Sequence, residues 1–309
     1  MFALKRNIPL SQHTTFHIGG PADFYAEASG ALEIAQALEY ADKHHLPAYI
    51  LGGGSNVIFP DAGYRGLVIK VEDGGIHLHG EKINAGAGMP LFNVVWAAKD
   101  ASLAGIESLA GIPGSFGGAV RGNAGAFGTE IGDVVTAVKV FDRDSGMIKE
   151  YKHDECKFTY RSSLFKLKPD LLILSAEIKL RPGDKEELEK IIKATVAKRE
   201  KKHPQDAWCA GSFFMNPVVK DETLRKEFEK DMGMKPKDEK LPAGWLIDHA
   251  GLRGRKVGGA MISNLHPNYL INTGKATAED VITLASIVKT KVRDELGVKL
   301  KEEVQYVGF

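Results

Sequence analysis

The sequence predicts an α+β fold spread over more than one domain, and three observations carry that expectation. Strand-like runs and helical runs are interleaved along the chain with no internal repeat of solenoid length. Four glycine-rich loops, drawing on its 34 glycines, fall before residue 130, while the C-terminal part is more charged and more helical. The length of 309 residues exceeds the usual size of a single hydrophobic core. The boundary is expected at the lysine-rich run "KEELEKIIKATVAKREKKHP" and the Pro204 that ends it.

Taken in order, residues 31–43, "ALEIAQALEYADK", show helical periodicity and lead to a short strand, "AYIL". "GLVIKV", "GIHLHG" and "KINAGAG" read as short strands, and "PLFNVVWAAKDA" as a helix. "DVVTAVKVFDRDSGMIKEYK" holds two alternating strands around an Asp-Ser-Gly turn, a hairpin, and "LLILSAEIKL" is a further strand. Asp184 with Glu187 gives a capping-box pattern opening the lysine-rich helix, with Leu188, Ile191, Ile192 and Thr195 on one face. Thr277 with Asp280 opens a second helix, with Val281, Leu284, Val288 and Val292 on its apolar side. "EEVQYVG" reads as a last strand, and Ser212 in "CAGSFFMNP" as a serine within a strand.

Composition narrows the function. Lys plus Arg number 41 against 40 Asp plus Glu, so net charge does not suggest a nucleic-acid surface. The two cysteines, Cys156 and Cys209, are far apart and outside any metal-ligand spacing, and they read as free thiols in a reducing compartment. The start "MFALKRNIPLSQHTTF" is too polar for a secretory segment, and no apolar run approaches a membrane span. A cytoplasmic protein with no obligate protein partner is expected. The ten histidines form no HExxH or His/carboxylate cluster, so no metal is expected.

The glycines are the informative residues. "HIGGPA" at 17–22, "LGGGSNVIF" at 51–59, "NAGAGMP" at 84–90 and "AGIPGSFGGAVRGNAGAFG" at 110–128 are too many for tight turns alone. Glycine lets successive backbone N–H groups close on an anion, which suits a phosphate or diphosphate. Two familiar forms are excluded. No Gly-Lys-Ser/Thr completes a Walker loop, "GAGMPL" lacks the third Rossmann glycine, and "GIPGSFGG" has the wrong spacing. A long phosphate-bearing ligand spread over two or three loops is the expectation.

"TTFHIGGPA", "LGGGSNVIF" and "AGIPGSFGGAVRGNAGAFG", with "CKFTYRSSLFK", "CAGSFFMNP", "PAGWLIDHAGLRGRKVGGA", "SNLHPNYLINTG" and "EEVQYVG", occur in the order seen in UDP-N-acetylenolpyruvoylglucosamine reductases. The chain resembles that flavoenzyme family from about residue 9 to residue 307, and its "NAGA" wording resembles the shorter type II subclass. The resemblance implies an FAD-binding fold of the vanillyl-alcohol oxidase/p-cresol methylhydroxylase type plus a C-terminal α+β substrate domain. The corresponding plan is FAD-binding subdomains at 1–70 and 71–185 and a substrate-binding domain at 186–309. It implies noncovalent FAD, NADPH as co-substrate and a UDP-sugar substrate. Gly52, Gly53, Gly54, Ser55 and Asn56 would hold FAD together with Ile112, Gly114, Ser115, Gly117, Gly118, Ala119, Asn123 and Gly125. Tyr160, Phe214, Asn216 and His266 would face substrate.

The same resemblance places catalysis on Arg161, Ser212 and Glu303. Reducing an enolpyruvyl ether adds hydride to its methylene carbon and a proton to the carbon bearing the carboxylate. Arg161 would fork onto that carboxylate, and Glu303 would orient it or donate to it. Ser212 would be the proton donor, with the neighbouring phenylalanines keeping water away. Judged alone, each has a duller reading: a surface arginine, a hydrogen-bonded serine, a solvated glutamate. Departures from the family pattern are Met215 for the usual lysine, His17 for an arginine and Pro267 for an alanine. The cation missing at Met215 could be replaced by Arg253, Arg255 or Lys256. The rival reading is a flavin oxidase of the same fold, which would react quickly with O₂ when reduced.

Overall fold

The computed structural model describes residues 3–72, 74–202 and 207–309, the side chain of Lys202 excepted. Pro204, the expected boundary residue, lies outside them. The helices among these residues are α1 (Ala31–Lys43), α2 (Leu91–Asp100), α3 (Phe116–Gly122), α4 (Leu164–Leu167), α5 (Lys185–Lys202), α6 (Glu222–Met232), α7 (Ala243–His249) and α8 (Ala278–Leu296). None of them is long and apolar enough to cross a membrane. Two compact units result, each assembled from discontinuous stretches.

The first unit comprises Met1–Ile8, Ala22–Gly53 and Arg65–Arg199. One sheet orders its strands Leu4–Pro9, Pro21–Ala28, Tyr64–Val71, Ala48–Leu51, the last two parallel with Ala48 opposite Leu67. Helix α1 covers it with Ile34, Ala37, Leu38 and Ala41, the i, i+3, i+4, i+7 stripe of an amphipathic helix. The second sheet orders Met147–Lys152, Val135–Asp142, Leu171–Lys179, Lys82–Gly86, Ile76–His79. Its first pair is the expected hairpin, in register from Asp142 opposite Met147 to Ala137 opposite Lys152. Gly146 supplies the positive φ of +67° that the turn requires. Its core joins Val94 and Val95 of α2, Phe116 and Val120 of α3, and Ile192 of α5. On α5, Leu188, Ile192 and Thr195 are buried, Ile191 is half-buried, and Asp184 Oδ1 accepts the Glu187 N–H at 2.8 Å.

The second unit comprises Pro9–Pro21, Gly54–Tyr64 and Glu200–Phe309. Its sheet orders Trp208–Cys209, Leu270–Asn272, Ala260–Ile262, Lys256–Val257. On α8, Val281, Leu284, Val288 and Val292 are fully buried, each worth about 1.5–3 kcal/mol of burial. They share a core with Phe16, Ile18 and Ile58 from the N-terminal stretches. Two strand expectations are corrected. "EEVQYVG" contributes only Gln305–Tyr306, parallel to Val57–Ile58. The chain changes partner there: Lys301 and Glu303 bond to Met215 and Phe213, then Gln305 and Val307 bond to Asn56 and Ile58. Ser212 is not in a strand either, because Gly211 at φ +75° turns the backbone out of extended geometry after Cys209.

Candidate functional site

In the first unit, the two main glycine loops meet backbone to backbone. A Cβ on Gly53 would lie 2.5 Å from the Gly114 Cα, and one on Gly52 would lie 2.6 Å from the Ser115 Oγ. Only glycine permits this approach. Ser115 caps α3 by accepting the Gly118 N–H at 3.2 Å, while the Phe116 and Gly117 N–H groups donate to Met89 and Ala87. Gly118 is exposed at this turn, Ala119 is buried, and Ile112 packs half-buried against the core.

Beyond α3 the chain wraps around Asn123, which sits at φ +45° and is 1 % exposed. Its Oδ1 accepts from the Gly132 N–H at 2.9 Å, and its Nδ2 donates to Glu130 at 2.7 Å and to the Thr159 carbonyl at 2.9 Å. That side chain builds the loop. Arg161, itself at φ +56°, donates to the Gly125 carbonyl at 3.0 Å and lies 5.3 Å from the Tyr160 ring centroid. Its own carbonyl accepts from Lys166 Nζ at 2.9 Å.

The second unit brings Ser212 and Glu303 onto adjoining segments. The Phe213 carbonyl accepts the Glu303 N–H at 2.8 Å, and Phe214 forms a bridge with Glu302. Asn268, almost fully buried, clips the same turn. Its carbonyl accepts from Phe213 N–H at 2.8 Å, its Oδ1 from Phe214 N–H at 3.0 Å, and its Nδ2 donates to the Phe214 carbonyl at 2.8 Å. Asn56 ties the glycine loop in: its Nδ2 donates to the Glu303 carbonyl at 3.1 Å, and its carbonyl accepts the Gln305 N–H at 3.0 Å. Gly54 closes the loop at φ +65°, where a Cβ would lie 2.0 Å from the His13 carbonyl oxygen. Phe213 and Phe214 are core residues, leaving half-buried Ser212 at the surface of the turn. Asn216 Oδ1 accepts the Ala243 N–H at the start of α7, and His266 Nδ1 accepts the Asn268 N–H at 3.2 Å.

A family model for an FAD binding domain matches residues 22–151, and one for the UDP-N-acetylenolpyruvoylglucosamine reductase C-terminal domain matches residues 203–307. The reductase of Solibacter usitatus is 37% identical over 99% of this chain and 97% of its own length. That of Carboxydothermus hydrogenoformans is 39% identical over 98% and 93%. The crystal structure of the Thermus caldophilus reductase covers 99% of both chains with TM-score 0.78 and 32% identity. The chain belongs to the UDP-N-acetylenolpyruvoylglucosamine reductase family. Its α+β class, its FAD-binding domain and its standing as an oxidoreductase follow from that membership.

Within this reductase frame, the structure sorts the candidate replacements for the lysine absent at Met215. Arg253 is committed, its Nε and Nη2 forking onto Asp248 at 2.7 and 2.6 Å. That pairing holds the Asp248 carboxyl below the usual carboxylate range. Arg255 and Lys256 are exposed and carry no ion pair among the described residues. Asn268 escaped the reading by pattern because a buried clip has no spacing signature. Its only trace was its place inside "SNLHPNYLINTG".

The loops fit an FAD diphosphate. Two glycine turns touch where a Cβ would intrude, leaving backbone N–H groups able to close on an anion without side chains between.

Proposed function

We propose that this chain reduces the enolpyruvyl ether of UDP-N-acetylglucosamine-enolpyruvate to UDP-N-acetylmuramate with NADPH, a step in peptidoglycan precursor synthesis. FAD, held noncovalently, supplies a two-electron carrier between NADPH and the enolpyruvyl methylene carbon. Residues 1–70 and 71–185 would carry the FAD-binding loops, and residues 186–309 the substrate-binding part. The observation that carries the reading is the joining of Ser212 and Glu303 through the 2.8 Å Phe213–Glu303 bond.

Ser212 Oγ donates its proton to the carbon bearing the carboxylate. An alcohol does this only toward a strongly basic carbon at close range, which demands a fixed turn. Gly211 and the Asn268 clip provide one. Glu303 orients the carboxylate side of the substrate, and Arg161 balances the charge that gathers there. Tyr160 and His266 serve the substrate side, with Phe214 and Asn216 acting by holding the turn and α7. Arg255 or Lys256 meets the UDP diphosphate in place of the lysine absent at Met215. The reaction is placed in the cytoplasm, where UDP-sugars and NADPH are found.

The purified protein should be yellow, bleach with NADPH under exclusion of O₂, and recover colour on adding the enolpyruvyl sugar. Acid precipitation should release the flavin. Rapid recovery with O₂ alone, and none with the sugar, would favour the oxidase reading and remove this one.

A further inference from the structure

Among the described residues of the first unit, the half-buried cations Lys70 and Arg121 form no ion pair. Lys70 stands opposite Leu51 in the parallel pairing, and its Nζ donates to the carbonyl of Gly52, where the glycine loop begins. Arg121 lies in the last turn of α3, whose capping Ser115 abuts Gly52. The Arg121 carbonyl accepts from Ser163 Oγ at 2.7 Å, and Tyr49, three residues before Gly52, is the ionisable group whose field reaches it. Among the described residues neither cation has a carboxylate within ion-pair distance. Burial pushes both below their ordinary pKa range. For Lys70 it outweighs the more distant pull of Glu72 and Glu27, and for Arg121 that of Tyr49.

The duller account gives Lys70 the task of fastening a loop and Arg121 that of meeting the negative end of α3. It leaves a cost unexplained. A neutral donor would fasten the Gly52 carbonyl without desolvating an ammonium, and partly buried charges ordinarily have partners of opposite sign. Lys70 fastens the first of the two touching glycine loops and Arg121 stands on the helix that the second one opens, so one dianionic ligand there would answer both.

We propose that Lys70 and Arg121 are the counter-charges for the diphosphate of the bound cofactor, a charge site additional to the glycine backbone. The proposal rests on the FAD-binding reading. Because the ribityl-isoalloxazine part carries no phosphate, the two cations act on FAD and not on riboflavin.

The test is the dissociation of FAD from diluted holoenzyme, read by released flavin fluorescence, with riboflavin as a competing ligand. Lys70→Met should weaken FAD on the order of ten- to a hundredfold and leave the riboflavin competition constant unchanged. Its FAD affinity should also depend less on KCl than that of the parent protein, and Lys70→Arg should restore most of the loss. Arg121→Gln should repeat the pattern and serves alone if Lys70→Met does not fold. Equal weakening of FAD and riboflavin would reduce both residues to structural supports and overturn the proposal. So would FAD affinities within twofold of the parent. A parent protein that holds no flavin would remove the FAD-binding reading itself, and this proposal with it.

Discussion

At the scale of single residues, Ser212 is the sharpest case, because its surroundings explain how a weak acid can be placed well. Two core phenylalanines follow it, an asparagine clips both, and a left-handed glycine precedes it. Ser212→Ala removes one oxygen and none of those restraints, so the variant should fold and hold FAD. Its flavin should be reduced by NADPH at nearly the parent rate. Reoxidation by the enolpyruvyl sugar should slow by roughly 10²–10⁴-fold, the worth of a positioned general acid. Ser212→Cys, a more acidic donor, should recover part of that loss. Anaerobic stopped-flow of the two half-reactions decides: equal slowing of both would make Ser212 a support for flavin geometry. The residue type and its glycine neighbour could be read from the sequence. The Asn268 clip and the Lys70–Gly52 bond could not, since they join positions distant in sequence or buried without periodicity.

Among elements, legibility followed local chemistry. Helix α1 spans Ala31–Lys43 as its apolar period predicts, and α8 opens on the Thr277/Asp280 box because capping is encoded within four residues. The closing strand is shorter than its sequence suggests, since its partners Phe213–Met215 and Asn56–Ile58 are set by tertiary pairing that its own sequence does not display. The α8 cap offers a prediction with a definite sign. Asp280 accepts from the Gly259 N–H at 2.9 Å and the Thr277 N–H at 3.1 Å, and these bonds hold its carboxyl below the ordinary value. A depressed folded pKa contributes stability that is present above the unfolded value and lost as pH falls through the folded one. Asp280→Asn should therefore lower the urea midpoint by a constant amount between pH 7 and pH 5. The difference from the parent should shrink below roughly pH 4, where the parent carboxyl also protonates. A difference independent of pH down to 3 would assign the effect to shape instead of charge. Thr277→Ala at the same cap should cost about 1 kcal/mol at neutral pH, and somewhat less in acid, because the Thr277 hydroxyl also helps to hold the Asp280 carboxyl down.

For the whole molecule, each compact unit is assembled from stretches that are not contiguous in the chain. The composition shift marks the C-terminal part as a distinct kind of sequence. Composition carries no information on which distant stretch completes a core, and here Pro9–Pro21 and Gly54–Tyr64 do so. Phe16, Ile18 and Ile58 are each no more than 2 % exposed within the core of the second unit. The Asn272 Nδ2 donates to the Phe16 carbonyl at 3.1 Å, and Asp61 accepts the Ala278 N–H at the start of α8. The closing strand Gln305–Tyr306 has Val57–Ile58 as its partner. A fragment of residues 200–309 would lose all of these at once. Three large apolar side chains missing from one core, each worth on the order of 2–5 kcal/mol, exceed the margin of an ordinary domain. The isolated fragment should thus show helical far-ultraviolet dichroism from α8 without dispersed amide resonances or a cooperative melt. Supplying residues 1–199 as a separate chain should restore both. A fragment that alone gives a dispersed spectrum and a sharp melt would make 200–309 an autonomous domain, with residues 9–21 and 54–64 only lying upon it.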